Sequence, residues 1–86
     1  MRTFEDSAGQ RWTAGVNEEQ GTDYKGRYYL VFRADEPGAP ELPLTDVRWN
    51  AERTAGRTIA TMSTIELRRR LRLAEGRGLA EAGAWR

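Results

Sequence analysis

Neither cysteine nor histidine occurs among the 86 residues. The first absence removes disulfide staples, thiolate nucleophiles and thiolate metal sites together. The second removes the side chain that most often acts as a base near neutral pH and as a zinc ligand. Lysine occurs once, at Lys25, so the positive charge is carried almost entirely by 13 arginines. Long apolar runs are missing too. None approaches the roughly 18 residues that cross a bilayer, so no transmembrane segment is expected. The opening Met-Arg-Thr-Phe-Glu-Asp holds charge where a signal peptide needs its apolar segment, which makes the expected location cytoplasmic.

What remains is a rather polar globular composition, 38% hydrophobic and 31% charged. The length allows one modest core and argues against a large enclosed active site. The net charge of +1 is unevenly spread. Residues 1–49 hold six basic and nine acidic groups, a net −3, whereas residues 50–86 hold eight basic and four acidic groups, a net +4. Such asymmetry accompanies interaction surfaces and ordinary solvated faces alike.

The first half alternates with a period of two. Phe4 opens a short strand that meets a tight turn at Ser7-Ala8-Gly9, and residues 11–16 then place Trp12, Ala14 and Val16 on one face, completing a hairpin. Residues 26–33 contain the strongest strand, Tyr-Tyr-Leu-Val-Phe, with apolar residues on both faces, which places it centrally in a sheet. Three prolines between positions 37 and 43 mark a loop and keep the start of the next strand at an edge or outside the ladder. A fourth strand follows over 44–49.

At Asn50, a good N-cap, the period changes to about 3.6, with Ala51, Ala55, Ile59 and Met62 along one face of a short helix interrupted by Gly56. A second helix is specified at both ends. Ser63 and Glu66 form a capping box, Met62 and Leu67 a hydrophobic staple, and Gly76 a left-handed stop. Leu67, Leu71 and Ala74 make its buried stripe, flanked by Ile65 and Leu73. The expected architecture is α+β: a four-stranded antiparallel meander followed by two short helices packed on one sheet face. Residues 1–75 form one domain and residues 76–86 a flexible tail.

Chemical signatures are few. Arg68, Arg69 and Arg72 share one side of the second helix opposite Leu67 and Leu71, and Arg53 and Arg57 add from the first. These five could contact nucleic-acid phosphates, an acidic protein groove, or only solvent. The aromatics Trp12, Tyr28, Phe32 and Trp49 are expected in the core rather than as base-stacking platforms, and Tyr24 belongs to the same interleaved series. Tyr29 and Val31 occupy the sheet face away from the helices, where a partner could cover them. Lys25-Gly26-Arg27 lacks the glycine spacing of a phosphate loop and reads as a turn. The acidic pairs Glu5-Asp6, Glu18-Glu19 and Asp35-Glu36 sit in turns and loops, and Asp46 is expected to be partly covered and to pair with Arg33 or Arg48. Trp85, next to last in a small-residue tail, either folds back or anchors into another protein.

No catalytic, cofactor or metal site is assigned on these grounds, and the chain is not expected to be an enzyme. The expected function is a non-catalytic protein-binding module or accessory subunit of a larger assembly, using Tyr29, Val31, Arg68, Arg69, Arg72 and Trp85. The alternatives are nucleic-acid binding through Arg53, Arg57, Arg68, Arg69 and Arg72, and homodimerisation through the sheet face.

Overall fold

The computed structural model describes residues 1–19 and 26–84, the side chains of 77–84 excepted. Four strands, β1 (Arg2–Glu5), β2 (Arg11–Glu18), β3 (Tyr28–Ala34) and β4 (Glu41–Trp49), precede two helices, α1 (Glu52–Thr61) and α2 (Thr64–Ala84). The strands pair antiparallel in chain order, so β2 and β3 are central and β1 and β4 are the edges. This is the expected α+β meander with its helical cover.

Register follows the alternation. Phe4 faces Trp12, which faces Ala34; Ala14 faces Phe32, which faces Leu42; Val16 faces Leu30, which faces Leu44. These rows turn one side of the sheet toward Ile59, Met62, Leu67, Leu71 and Ala74 of the helical layer, forming a single core. Phe4 and Phe32 meet edge to face with ring centroids 6.0 Å apart. Of the aromatics expected inside, Trp12 and Phe32 are buried and Trp49 is half-buried against the core, whereas Tyr28 is half-buried outside that cluster. Tyr24 and Lys25 lie outside the described residues.

Four local details differ from expectation. β4 starts at Glu41 and carries Pro43 in the ladder opposite Val31, which an edge strand tolerates because its outer side needs no N–H donor. Its pairing jumps from Leu30–Leu44 to Tyr29–Arg48, so Thr45, Asp46 and Val47 bulge out and Val47 drops onto the core. Asn50 does not cap α1. Its Oδ1 accepts the Gly26 N–H at 2.8 Å, and Ala51 takes the N-cap position with no side-chain cap bond. A tertiary acceptor role has displaced a local one.

The fourth difference is the end of α2. The helix passes through Gly76, whose φ is not positive, and continues to Ala84. A left-handed stop competes with continued i to i−4 bonding, and Leu79, Ala80, Glu81, Ala82 and Ala84 are strong helix formers that favour continuation. The expected tail over 76–86 is thus helical as far as Ala84, while Trp85 lies outside the described residues. At the other end the Ser63 cap holds, with the Glu66 N–H donating to Ser63 Oγ at 3.1 Å, and the expected staple residues Met62 and Leu67 are both buried in the core.

Candidate functional site

Three sides of α2 do three different jobs. Leu67, Leu71 and Ala74 point into the core. One turn-step around the helix, Arg68 donates from Nε to the Glu5 carbonyl at 2.7 Å, tying α2 to the free edge of β1. On the opposite flank Glu66 holds two arginines at once. Its Oε1 accepts from Arg69 Nη2 at 2.6 Å and from Arg70 Nε at 2.8 Å, and its Oε2 accepts from Arg69 Nε at 3.1 Å. The carboxylate therefore turns along the helix instead of closing the expected capping box.

Those hydrogen bonds, Arg69 first and Arg70 second, pull the Glu66 pKa from 4.5 down to about 2, and Glu66 raises that of Arg69 in return. A carboxylate with a depressed folded pKa contributes stability that is present above its unfolded value and lost as pH falls through its folded value. Stability measured by urea unfolding at stepped pH is expected to decline between about 4.5 and 2, and Glu66→Gln to flatten that decline. An identical slope in the variant would remove Glu66 from the account.

The outward side of α2, turned away from the core, carries Ile65, Arg69, Arg72, Leu73 and Gly76. Ile65 is 79% exposed and Leu73 49% exposed. Both were expected as flanks of the buried stripe. They sit at about 160° and 240° around the axis from Leu67 at 100° per residue, too far for a flat sheet to reach. Arg72 is exposed and its side chain, among the described residues, has no hydrogen-bond or ion-pair partner; the same holds for the side chains of Arg53 and Arg57 on α1. The five expected arginines thus divide: Arg68 braces the sheet, Arg69 pairs with Glu66, and Arg53, Arg57 and Arg72 project into solvent.

The other sheet face is not the open apolar surface expected around Tyr29 and Val31. Val31 is only 6% exposed, set between Gly15 and Pro43 on the neighbouring strands. Arg48 lies over the Tyr29 ring at 5.5 Å and is itself fastened by three groups: Nε donates to the Thr45 carbonyl at 2.8 Å, Nη1 to the Gly26 carbonyl at 2.8 Å and Nη2 to Glu19 Oε1 at 3.0 Å. Arg33 pairs with Glu41 at 3.1 Å, and Asn17 Nδ2 donates to the same carboxylate at 2.9 Å. A polar lattice therefore roofs this face, leaving a shallow depression of about 360 Å³ over Gly15 and Val31. Asp46, expected to be partly covered, is exposed in the bulge.

Two further polar clusters are structural. Asp6 accepts the Ala8 and Gln10 N–H groups on Oδ1 and Trp12 Nε1 on Oδ2, each at 2.9 Å, which shapes the β1–β2 turn around Gly9 at φ 87°. The Trp12 hydrogen bond is the main cause of its lowered pKa. Arg2 Nη1 donates to the carbonyls of Ala60 at 3.1 Å and Met62 at 2.7 Å, holding the carboxyl end of α1 where its dipole favours a cation. Spacing along the chain carries no signal for either cluster beyond the turn itself. A cleft of about 260 Å³ lies between the Asp6 turn and α2, lined by Asp6, Arg68, Leu71, Arg72 and Glu75.

Among the described residues no three carboxylates come together as a metal cage, and no helix is long and apolar enough to cross a membrane. Compared with known proteins, the chain matches no family model, no curated protein and no solved structure.

Proposed function

We propose that this is a small, non-catalytic cytoplasmic binding module, an accessory subunit that attaches to a larger protein through the outward side of α2. The exposure of Ile65 and Leu73 carries the reading. A helix needs one apolar stripe to join a core, and α2 has that stripe in Leu67, Leu71 and Ala74. Two large aliphatic side chains on its far side add nothing to the fold and lie in water unless another surface covers them. Val31 is covered and Tyr29 is roofed by Arg48, which moves the favoured surface from the sheet to the helix.

A photo-crosslinking residue at position 73, with Thr3 on the outer sheet face as control, tests this in native extract. The expected result is one protein adduct in stoichiometric amount at 73, resistant to nuclease and absent at 3. Adducts at 3 alone, or at neither, would sink it. The unpartnered Arg53, Arg57 and Arg72 favour nucleic acid as the second reading, for which recovery would collapse on nuclease treatment and affinity would fall steeply with salt.

A further inference from the structure

We infer that the occupant of the α2 surface is an acidic amphipathic helix of the partner, lying along α2; the inference rests on the docking reading above. Shape points to a helix. Ile65, Arg69 and Leu73 follow one another at i, i+4 and i+8, a ridge about 12 Å long that fits the groove between two rows of side chains on another helix. Gly76 lies on the same side, beyond Leu73. A Cβ built there meets nothing within 4 Å and its φ is not positive, so the fold itself has no need of glycine at that position. Its missing side chain lets a second backbone approach closely past the end of the ridge.

Charge points to acidic residues on that helix. Arg72 stands unpartnered beside Leu73, while Arg69 and Arg70 share the single carboxylate of Glu66, leaving one positive charge in excess. The wider half from residue 50 to 86 carries +4. Carboxylates flanking an apolar seam on the partner would complement both positions.

A second copy of this chain fits less well. Setting Ile65 of one helix against Leu73 of its two-fold mate brings Arg69 onto Arg69 at the axis and places two +4 halves together. Nucleic acid fits less well again, since phosphates and sugars offer nothing to two exposed aliphatic side chains. One helix laid over about three turns is a small interface, so the affinity is on the order of micromolar.

The test is an amide NMR titration of the intact chain with a synthetic 16-residue helical peptide bearing leucines two turns apart and glutamates on both flanks. Its counterpart with lysine at every glutamate and a single-stranded oligonucleotide serve as competing ligands. The expected result is saturable shifts centred on residues 65, 69, 72, 73 and 76 with the acidic peptide only. Leu73→Ser and Arg72→Glu should each weaken binding at least tenfold without lowering the melting temperature, and Gly76→Leu should block binding while leaving the fold intact. Equal binding of the lysine peptide, tighter binding of the oligonucleotide, shifts centred elsewhere, or a concentration-dependent rise in mass without ligand would each overturn the inference. No response to the acidic peptide together with a protein adduct at position 73 would remove the acidic helix and leave the docking reading standing; no response and no adduct would remove both.

Discussion

Replacing Phe32 by alanine is expected to lower the unfolding free energy by about 3–5 kcal/mol, enough to leave the domain close to its unfolding threshold at room temperature. Phe32 is fully buried on β3, one of the two central strands, paired with Ala14 on one side and Leu42 on the other, and its ring meets the Phe4 ring edge to face. Truncation removes the transfer energy of the ring and that aromatic contact, and it opens a cavity. The surroundings cannot collapse into it, because the strand pairing on both sides fixes the backbone positions. Urea unfolding is the measurement. The midpoint should fall by about 2 M or more with the slope unchanged. A loss under about 1 kcal/mol would mean that the helical layer does not close over this part of the sheet.

Leu71→Ala is expected to cost about 2–5 kcal/mol, whereas Leu73→Ala, two positions along the same helix, should stay within about 0.5 kcal/mol. Leu71 is fully buried in the common core with Ile59, Met62 and Leu67, and Leu73 is on the outward side. Intrinsic helix propensity cannot separate them, since both are leucines in the same helical run. The difference isolates the tertiary term. Equal losses in paired unfolding curves would show that α2 is rotated about its axis from the orientation described, and would move Ile65 and Leu73 out of the docking reading as well. A large loss at Leu71 with none at Leu73 leaves position 73 free to be altered in binding experiments without confounding the fold.

The elements that could be read along the chain are those whose cause is local. Alternation in residues 11–16 and 26–33 specifies strands because the side-chain period of a strand is two whatever lies around it. The Ser63 cap could be read because its acceptor and its donor are three residues apart. Leu67, Leu71 and Ala74 were legible as a buried stripe for the same reason, and so was the order of four strands before two helices. Asn50 and Gly76 were not legible. Each has a good local role that loses to a competitor: for Asn50 the Gly26 N–H, distant in sequence, and for Gly76 the helix-forming run that follows it.

The candidate site divides along the same line. That α2 is arginine-rich and that the second half of the chain is cationic are matters of composition, fixed before any folding. Which arginines are available is not. Arg68 is withdrawn by a carbonyl on β1 and Arg69 by Glu66, while Arg72, identical in sequence terms, is left in solvent. Alternation alone puts Tyr29 and Val31 on the face away from the helices, but only strand pairing across β2 and β4 brings Arg48 over one and flanks the other with Gly15 and Pro43. The sequence by itself determined the period of each element, the central core stripe of β2 and α2 and the sign of the charge, because these depend on neighbours a few residues away. Tertiary structure decided which apolar groups stay in water and which polar groups are tied across elements, as Arg2, Arg48 and Arg68 are, because those bonds join residues more than twenty positions apart and depend on how helix and sheet are turned toward each other.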